Sequence, residues 1–228
     1  MKNSCIIAGG TFHKEVFLDF LNNKKVNKEK PFIVAADKGA RYLFEINVMP
    51  DVIIGDFDSV GSEFFDKIKE IENSNKAVVV RLKPEKDNTD TEAALDYILN
   101  EDRVKKGSIY IFAGTGTRID HVYANIHILL KAKKYGYSAF LIDDKMKIRI
   151  LNQDDKFTLK KEEQYGKFVS IFALSEVVRG INLKGFKYNL SDYTLHIGTS
   201  LGESNEIEKD EATISFKQGL LLVMESMD

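Results

Sequence analysis

The chain has 228 residues, of which 43% are hydrophobic and 30% are charged, a balance typical of a folded globular protein. Its 33 basic and 35 acidic side chains give a net charge of −2, which argues against a nucleic-acid partner because binding the phosphate backbone requires clustered Lys and Arg. The sequence has no apolar run near the roughly 20 residues of a membrane span, so no membrane partner is expected. The single cysteine, Cys5, excludes an internal disulfide and favours the reducing cytoplasm.

Short apolar segments alternate with helical patterns over residues 1–145. The predicted strands are Cys5–Ala8, Phe32–Ala36, Val52–Ile54, Ala77–Leu82, Ser108–Ala113 and Ser138–Ile142. The predicted helices are Lys38–Ile46, Ser62–Ile71, Thr91–Val104, with Asp90 as its N-cap, and His121–Lys134. Because apolar strands that alternate with helices form sheets covered on both faces, we expect an α/β domain with a mostly parallel sheet flanked by helices.

The pattern changes near residue 143, after which no long helical pattern follows. Short segments appear instead, many of them alternating or β-branched: Lys147–Leu151, Lys156–Leu159, Phe168–Ala173, Asn182–Lys184, Thr194–Ile197, Glu211–Phe216 and Leu220–Met224. These segments predict a second domain over residues 146–228, an antiparallel β-sandwich or roll.

Aspartates follow the predicted strands of the first domain. They are Asp37, Asp56, Asp58, Asp87, Asp90 and Asp120. One aspartate after a strand is usually a turn former or a helix cap, but ligands of open parallel sheets bind beyond the carboxyl ends of the strands. Gathered carboxylates repel one another unless cations are present, and oxygen ligands suit Mg²⁺ together with phosphate. The pattern therefore predicts a metal–phosphate site at one edge of the sheet.

A glycine-rich segment, Gly114-Thr115-Gly116-Thr117-Arg118, precedes the last predicted helix. Glycines let backbone N–H groups approach a phosphate closely, and Arg118 can form a bidentate contact with phosphate oxygens. The segment is not the GxxxxGK[ST] loop of the common ATP-binding proteins. His121 at the start of the helix is more typical of a cap or a packing residue than of a base, whereas Asn125 shares its helical face.

Taken together, these motifs resemble those of the thiamine pyrophosphokinase family. The matching segments are Ala36-Asp37-Lys38-Gly39, Pro50-Asp51, Gly55-Asp56-Phe57-Asp58-Ser59, Lys86-Asp87-Asn88-Thr89-Asp90, Arg118-Ile119-Asp120-His121, Ala124-Asn125, Gly185-Phe186-Lys187-Tyr188-Asn189-Leu190 and Ser204-Asn205-Glu206. They occur in the order of the family, from about residue 5 to residue 225. The sequence departs from the family pattern at Thr117, where a second glycine is common, and at Lys38, where Gly or Arg is common.

The resemblance implies an activity and an assembly. Diphosphate would pass from ATP to the hydroxyethyl group of thiamine, giving thiamine diphosphate and AMP, with Mg²⁺ as cofactor. The protein would be a homodimer, with thiamine bound between the α/β domain of one subunit and the β domain of the other.

The resemblance also assigns roles to individual residues. Asp37, Asp56, Asp58, Asp87 and Asp90 would form the metal and pyrophosphate site, in which Asp56, Asp58 and Asp90 are catalytic. By their location in the sequence, Asp58 and Asp90 are both candidates for the acceptor of the alcohol proton. Asp37, Lys38, Gly114, Gly116, Arg118 and Asp120 would bind ATP. Asn125, Tyr188, Ser204 and Asn205 would contact thiamine, a cation that suits an acidic pocket with an aromatic wall.

Three other functions remain open at this point. The same chemistry on another alcohol, such as a hydroxymethylpterin, would need the same α/β domain, but Tyr188 and Ser204-Asn205 favour thiamine. A metal-dependent phosphohydrolase or nucleotide-sugar transferase would use Asp56 and Asp58 without requiring the other motifs. A non-catalytic nucleotide sensor could dispense with the carboxylates.

Overall fold

The computed structural model describes residues 2–57, 61–83, 87–104 and 107–228. The chain divides into two compact units, Met1–Asp144 and Lys145–Asp228. Among the described residues, none of the helices has both the length and the apolar character needed to cross a bilayer.

The N-terminal unit is a parallel sheet with helices between its strands. Its described strands are β1 (Ser4–Ile7), β2 (Phe32–Ala36), β3 (Val52–Gly55), β4 (Val78–Arg81), β5 (Ile109–Phe112) and β6 (Ala139–Ile142). Its described helices are α1 (Lys14–Asn22), α2 (Gly39–Glu45), α3 (Ser62–Asn73), α4 (Asp90–Leu99) and α5 (Ile119–Lys134), with a 3₁₀ turn at Asp102–Val104. The strand order is β6-β5-β1-β2-β3-β4, and each neighbouring pair is parallel.

Burial explains why these segments form strands. Every residue of β1, β2, β3 and β6 is buried, which a parallel sheet requires when helices cover both faces. Strand β4 lies at the edge of the sheet and is partly exposed, although its sequence, Val-Val-Val-Arg, is almost as apolar. Helix α4 buries Ala94, Leu95 and Ile98, which belong to the apolar stripe of its sequence.

Two helix predictions need correction. The sequence pattern does not predict helix α1, which is short and follows His13, a residue whose side chain makes no capping hydrogen bond. Helix α4 ends at Leu99 rather than Val104, and the prediction that Asp90 is its N-cap is wrong. The cap is Thr89, whose hydroxyl accepts the N–H of Glu92 at 3.2 Å. Asp90 therefore belongs to the first turn of the helix.

The register of the sheet brings the strand ends level. Ile7 of β1 pairs with Ala35 and with Phe112, and Ala36 pairs with Ile54. Because these strands are parallel, the residues that follow them meet at one edge of the sheet.

The C-terminal unit is a sandwich of two antiparallel sheets. Its described strands are β7 (Met146–Asn152), β8 (Phe157–Lys160), β9 (Phe168–Ala173), β10 (Val177–Lys184), β11 (Leu190–His196), β12 (Asn205–Glu206), β13 (Glu211–Ser215) and β14 (Leu220–Ser226). One sheet has the order β12-β9-β14-β7, and the other has the order β11-β10-β13-β8. Side chains of both sheets, among them Ile171, Val223, Ile181 and Ile214, share one buried core. The predicted fold class is confirmed; β12 was not predicted, and β10 is longer than expected.

Candidate active site

A cavity of about 470 Å³ lies at the carboxyl edge of the parallel sheet. It is lined by residues 8–11 after β1, 36–38 at the end of β2, 89–91 at the start of α4 and 113–118 after β5, together with His121 and Asn125 of α5. Segments from four different parts of the N-terminal unit thus enclose one space, at the edge where the sequence predicted a site.

Two glycine-containing loops form one wall of the cavity. The N–H of Gly10 donates to the carbonyl of Ala113 at 2.7 Å, and the N–H of Thr11 donates to the carbonyl of Thr115 at 2.8 Å. A Cβ atom at Gly10 would collide with the carbonyl of Thr115, so only glycine permits this approach. The glycine-rich pattern predicts a role for residues 114–118, whereas residues 9–11 were not predicted, although a Gly-Gly pair soon after a strand is a signal of this kind.

Helix α5 holds the second of these loops. The side-chain amide of Asn125, which is buried, donates to the carbonyl of Gly114 at 2.7 Å. Arg118 and His121 lie at the start of the same helix and line the cavity. The N-terminus of a helix of this length favours anions, so this wall suits phosphate.

Asp120 contacts Arg118 rather than the cavity. The Nη2 atom of Arg118 lies 2.6 Å from Oδ2 of Asp120, and its Nε atom donates to Oδ1 at 3.2 Å. The hydrogen bond from Arg118 lowers the pKa of Asp120, so the pair is charged at neutral pH. Both side chains are about two-thirds exposed, which leaves the guanidinium accessible to a ligand.

The start of α2 brings Asp37 and Lys38 to the cavity. A Cβ atom at Gly39 would collide with the carbonyl of Ile7, so glycine at this position lets the helix begin directly against β1. The N–H of Asp37 donates to the carbonyl of Ile54 at 2.8 Å, which ties the end of β2 to β3. Lys38 precedes the helix and is exposed.

The carboxylate of Asp37 lies in an acidic, half-buried position. Burial raises its pKa, and the charges of Asp90 and Asp56 raise it further, against a lowering hydrogen bond from the backbone of Lys38. Within the described residues, its Oδ1 atom is buried and has no hydrogen-bond partner. A buried carboxylate oxygen without a donor, beside two further carboxylates, is stabilised by a hard cation, so these residues fit a divalent metal ion.

The remaining predicted acidic residues differ in position. Asp56 directly follows β3 and is half-buried, outside the cavity lining. Asp87 is exposed and is also outside the lining. Asp58 lies outside the described residues. The described part of the chain contains no group of three or more His, Cys, Asp and Glu side chains arranged to hold a metal ion.

Unusual backbone conformations cluster at this edge. Asp37, Phe57 and Ala113 follow β2, β3 and β5, and each has a positive φ, at 46°, 59° and 52°. Residues other than glycine rarely adopt a positive φ, and those that do are enriched at functional sites. The edge that carries the acidic residues is thus also a strained edge.

The three predicted thiamine residues of the C-terminal unit lie together. Asn205, which is buried, accepts the N–H of Tyr188 at 3.0 Å and donates to the carbonyl of Tyr188 at 2.8 Å. Ser204 has a positive φ of 54°, and its N–H donates to the hydroxyl of Ser170 at 2.9 Å. Tyr188 is 63% exposed, and the Nζ atom of Lys187 lies 5.7 Å from the centroid of its ring, so the arrangement fixes the backbone of Tyr188 and leaves most of the residue in contact with solvent.

Comparison with known proteins identifies the family. A family profile described as "Thiamin pyrophosphokinase, catalytic domain" matches residues 23–141, and one described as "Thiamin pyrophosphokinase, vitamin B1 binding domain" matches residues 156–221. The thiamine pyrophosphokinase of Bacillus subtilis is 32% identical over 228 residues, which cover 100% of both chains. The chain belongs to the thiamine pyrophosphokinase family.

Solved structures agree with this assignment to the thiamine pyrophosphokinase family. The crystal structure of the Bacillus subtilis enzyme has a TM-score of 0.82 at 30% identity, with 100% of each chain covered. That of the Geobacillus thermodenitrificans protein has a TM-score of 0.81 at 28% identity, covering 99% of this chain and 98% of the other. The predicted family is confirmed, and with it the prediction of an enzyme of the diphosphotransferase class.

Proposed function

We propose that this chain transfers diphosphate from ATP to the hydroxyethyl oxygen of thiamine, forming thiamine diphosphate and AMP. The chain belongs to the thiamine pyrophosphokinase family, and the observation that carries the proposal is the composition of one cavity. The lining of this cavity contains two carboxylates, Asp37 and Asp90, together with a glycine-rich wall and Arg118.

ATP would bind with its phosphates along the glycine-rich wall. Gly114 and Gly116 line the cavity there, the start of α5 contributes the positive end of its dipole, and Arg118 supplies a guanidinium. Lys38 adds a second cation to the lining of the cavity. Asp120 cannot bind phosphate directly because it is an anion, so its role would be to orient the Arg118 side chain.

Mg²⁺ is the proposed cofactor, held by Asp37, Asp56, Asp58 and Asp90, with Asp87 nearby in sequence. The support is the buried Oδ1 atom of Asp37 and the raised pKa that its acidic neighbours produce. When bound, the metal supplies positive charge against the polyphosphate oxygens, which bear the negative charge of the transition state.

The reaction would be an in-line displacement at the β-phosphorus. The hydroxyethyl oxygen of thiamine forms a bond to that atom, the bond from it to the bridging oxygen of the α-phosphate breaks, and AMP leaves. The alcohol proton passes to a carboxylate, for which Asp58 and Asp90 are the candidates. Positioning of two substrates is the main task of the protein in such a reaction.

Thiamine would be recognised by an aromatic ring and by polar side chains. The exposed ring of Tyr188 offers an aromatic face to a cationic heterocycle, and Asn205 holds the backbone of Tyr188 through two hydrogen bonds. Ser204, which precedes Asn205, would contact thiamine beside it. Asn125 lines the cavity, where its amide already holds Gly114.

We propose further that the active protein is a cytoplasmic homodimer, which light scattering would detect as twice the 25.9 kDa mass of the chain.

The test is a direct assay with ATP, MgCl₂ and thiamine, in which AMP and thiamine diphosphate are quantified by chromatography. We expect equal amounts of both products and no AMP without thiamine. Replacing thiamine by a hydroxymethylpterin tests the alternative alcohol. AMP formed only with the pterin, or ATP hydrolysed equally with and without thiamine by the folded, metal-replete protein, would reject the proposal.

A further inference from the structure

The loop after β1 is held from two sides at a single peptide unit. The carbonyl of Gly10 accepts a hydrogen bond from the hydroxyl of Tyr42 at 2.9 Å. The N–H of Thr11, in the same peptide plane, donates to the carbonyl of Thr115 at 2.8 Å. Both polar ends of this plane are therefore fixed, one by a side chain of α2 and the other by the glycine-rich segment after β5.

The ring of Tyr42 is itself held by aromatic contacts. It stacks on Phe12, with centroids 5.2 Å apart and planes at 2°. Phe12 contacts Phe17, which is fully buried and meets Phe112 edge-on at 5.2 Å. This series of rings connects α2 with the end of β5, so the hydroxyl of Tyr42 has little freedom to leave the Gly10 carbonyl.

Glycines make this support necessary. Gly9 and Gly10 are adjacent, and consecutive glycines give a loop more backbone freedom than any other pair of residues. Both of them line the cavity, whereas Tyr42 does not. Burial and the charges of Glu45 and Asp37 raise the pKa of Tyr42, so its hydroxyl keeps the proton that it donates.

We propose that Tyr42 is a positioning residue of the nucleotide site, acting through the Gly10–Thr11 peptide. The inference rests on the proposed function, because the wall that Tyr42 supports is the one assigned to ATP. The hydroxyl fixes the loop after β1 relative to the glycine-rich segment after β5, in the arrangement that binds the phosphates. It therefore reduces the conformational entropy that this loop would otherwise lose when ATP binds. Thiamine recognition, assigned mainly to Tyr188, does not depend on this peptide.

The variant Tyr42→Phe tests the proposal because it removes the hydroxyl and keeps the ring that stacks on Phe12. We expect the KM for ATP and the dissociation constant of ATP to rise about three- to tenfold, the usual effect of one lost hydrogen bond. The kcat should change by less than about twofold, and the KM for thiamine should not change. Tyr42→Leu, which also removes the ring, should weaken ATP binding further.

The matched control is Tyr97→Phe. Tyr97 of α4 is also half-buried and stacked on a phenylalanine, Phe32, but it is not part of the cavity lining. This variant should keep the wild-type ATP affinity. An unchanged ATP affinity in Tyr42→Phe would overturn the proposal, and so would equal increases of both KM values accompanied by a lower Tm, which indicate general loosening of the fold.

Direct titration of the whole protein with ATP and Mg²⁺ separates this proposal from the proposed function. If the wild type binds ATP but forms no thiamine-dependent AMP, the proposed function is rejected. The dissociation constants of ATP for the wild type and for Tyr42→Phe still decide the role of Tyr42. If the wild type does not bind ATP, both proposals fail.

Discussion

At the scale of single residues, Asp37 shows how the site is balanced between stability and function. Its carboxylate is half-buried beside Asp90 and Asp56, one oxygen has no donor among the described residues, and its backbone is left-handed. Each of these features disfavours the folded state when no cation is present. A residue kept under such conditions is better explained by a ligand than by the fold.

We predict that Asp37→Asn raises the Tm of the metal-free protein by about 2–4 °C, the shift that roughly 1 kcal/mol produces in a chain of this size. The variant should lose turnover, and Mg²⁺ with ATP should stabilise it less than the wild type. Thermal unfolding with and without Mg²⁺ measures both effects. A lower Tm in the metal-free variant would contradict this account of Asp37.

The same carboxyl group predicts a pH dependence. Because its pKa is raised above 3.8 in the folded state, the folded protein holds this proton more tightly than the unfolded chain does. The free energy of unfolding contributed by this group therefore falls as the pH rises from about 3.8 through the raised pKa. The free energy of unfolding of the wild type and of Asp37→Asn is measured across that pH range in the presence of a chelator, and the difference between them isolates the effect of this carboxyl group. If the two free energies change in parallel with pH, the prediction is wrong.

We predict that Asp56→Asn and Asp58→Asn each abolish turnover and leave the fold intact, since both aspartates are assigned to the metal site. Asp19→Asn is the control, because Asp19 is an exposed aspartate of α1 outside the cavity lining. Product formation and circular dichroism are measured on the same samples. Wild-type rates in both variants would refute the metal-site argument.

At the scale of elements, most strands and helices could be predicted because their signals are local. Strand β2 has the predicted bounds, and β1, β3 and β5 differ by one residue at one or both ends. The elements that were not predicted are those whose formation depends on tertiary contacts. Helix α1 is short and has no capping side chain before it, and the two-residue strand β12 exists only through its pairing with β9. The cap of α4 is Thr89 and not the predicted Asp90, because both residues are good capping residues and only the structure distinguishes them.

We predict that Thr89→Ala lowers the Tm by about 2–4 °C, because an N-cap contributes about 1 kcal/mol to stability. Activity should fall as well, since the cap fixes the turn that carries Asp90 into the cavity. Thr89→Ser keeps the hydroxyl and should restore both properties. If the serine variant behaves like the alanine variant, the hydroxyl is not the reason for the loss.

At the scale of the whole molecule, the two units have different chemistry. The N-terminal unit presents carboxylates and a glycine-rich wall, whereas the C-terminal unit presents an exposed aromatic ring held by a buried asparagine. The separate family profiles for a catalytic and a vitamin B1 binding domain follow the same division. Binding of the two substrates should therefore be separable by mutation.

We predict that Tyr188→Ala raises the KM for thiamine about tenfold and changes the KM for ATP less than twofold, because a cation–aromatic contact contributes about 1–2 kcal/mol when desolvated. Tyr193→Ala is the control, since Tyr193 is a partly exposed tyrosine of the same unit on β11. Steady-state kinetics with each substrate varied in turn measure the effect. Equal increases of both KM values would count against the placement of Tyr188.

The sequence by itself determined the order of most strands and helices, the position of the aspartates after the strands, and the family. These properties depend on residues that are close in sequence, whose periodicity and motifs do not depend on distant contacts. Only the tertiary structure decided that residues 9–11 share a wall with 113–116, that Tyr42 supports it, and that Asn205 holds Tyr188. The physical reason is that such contacts join segments far apart in the chain, whose meeting depends on strand order and register rather than on local pattern.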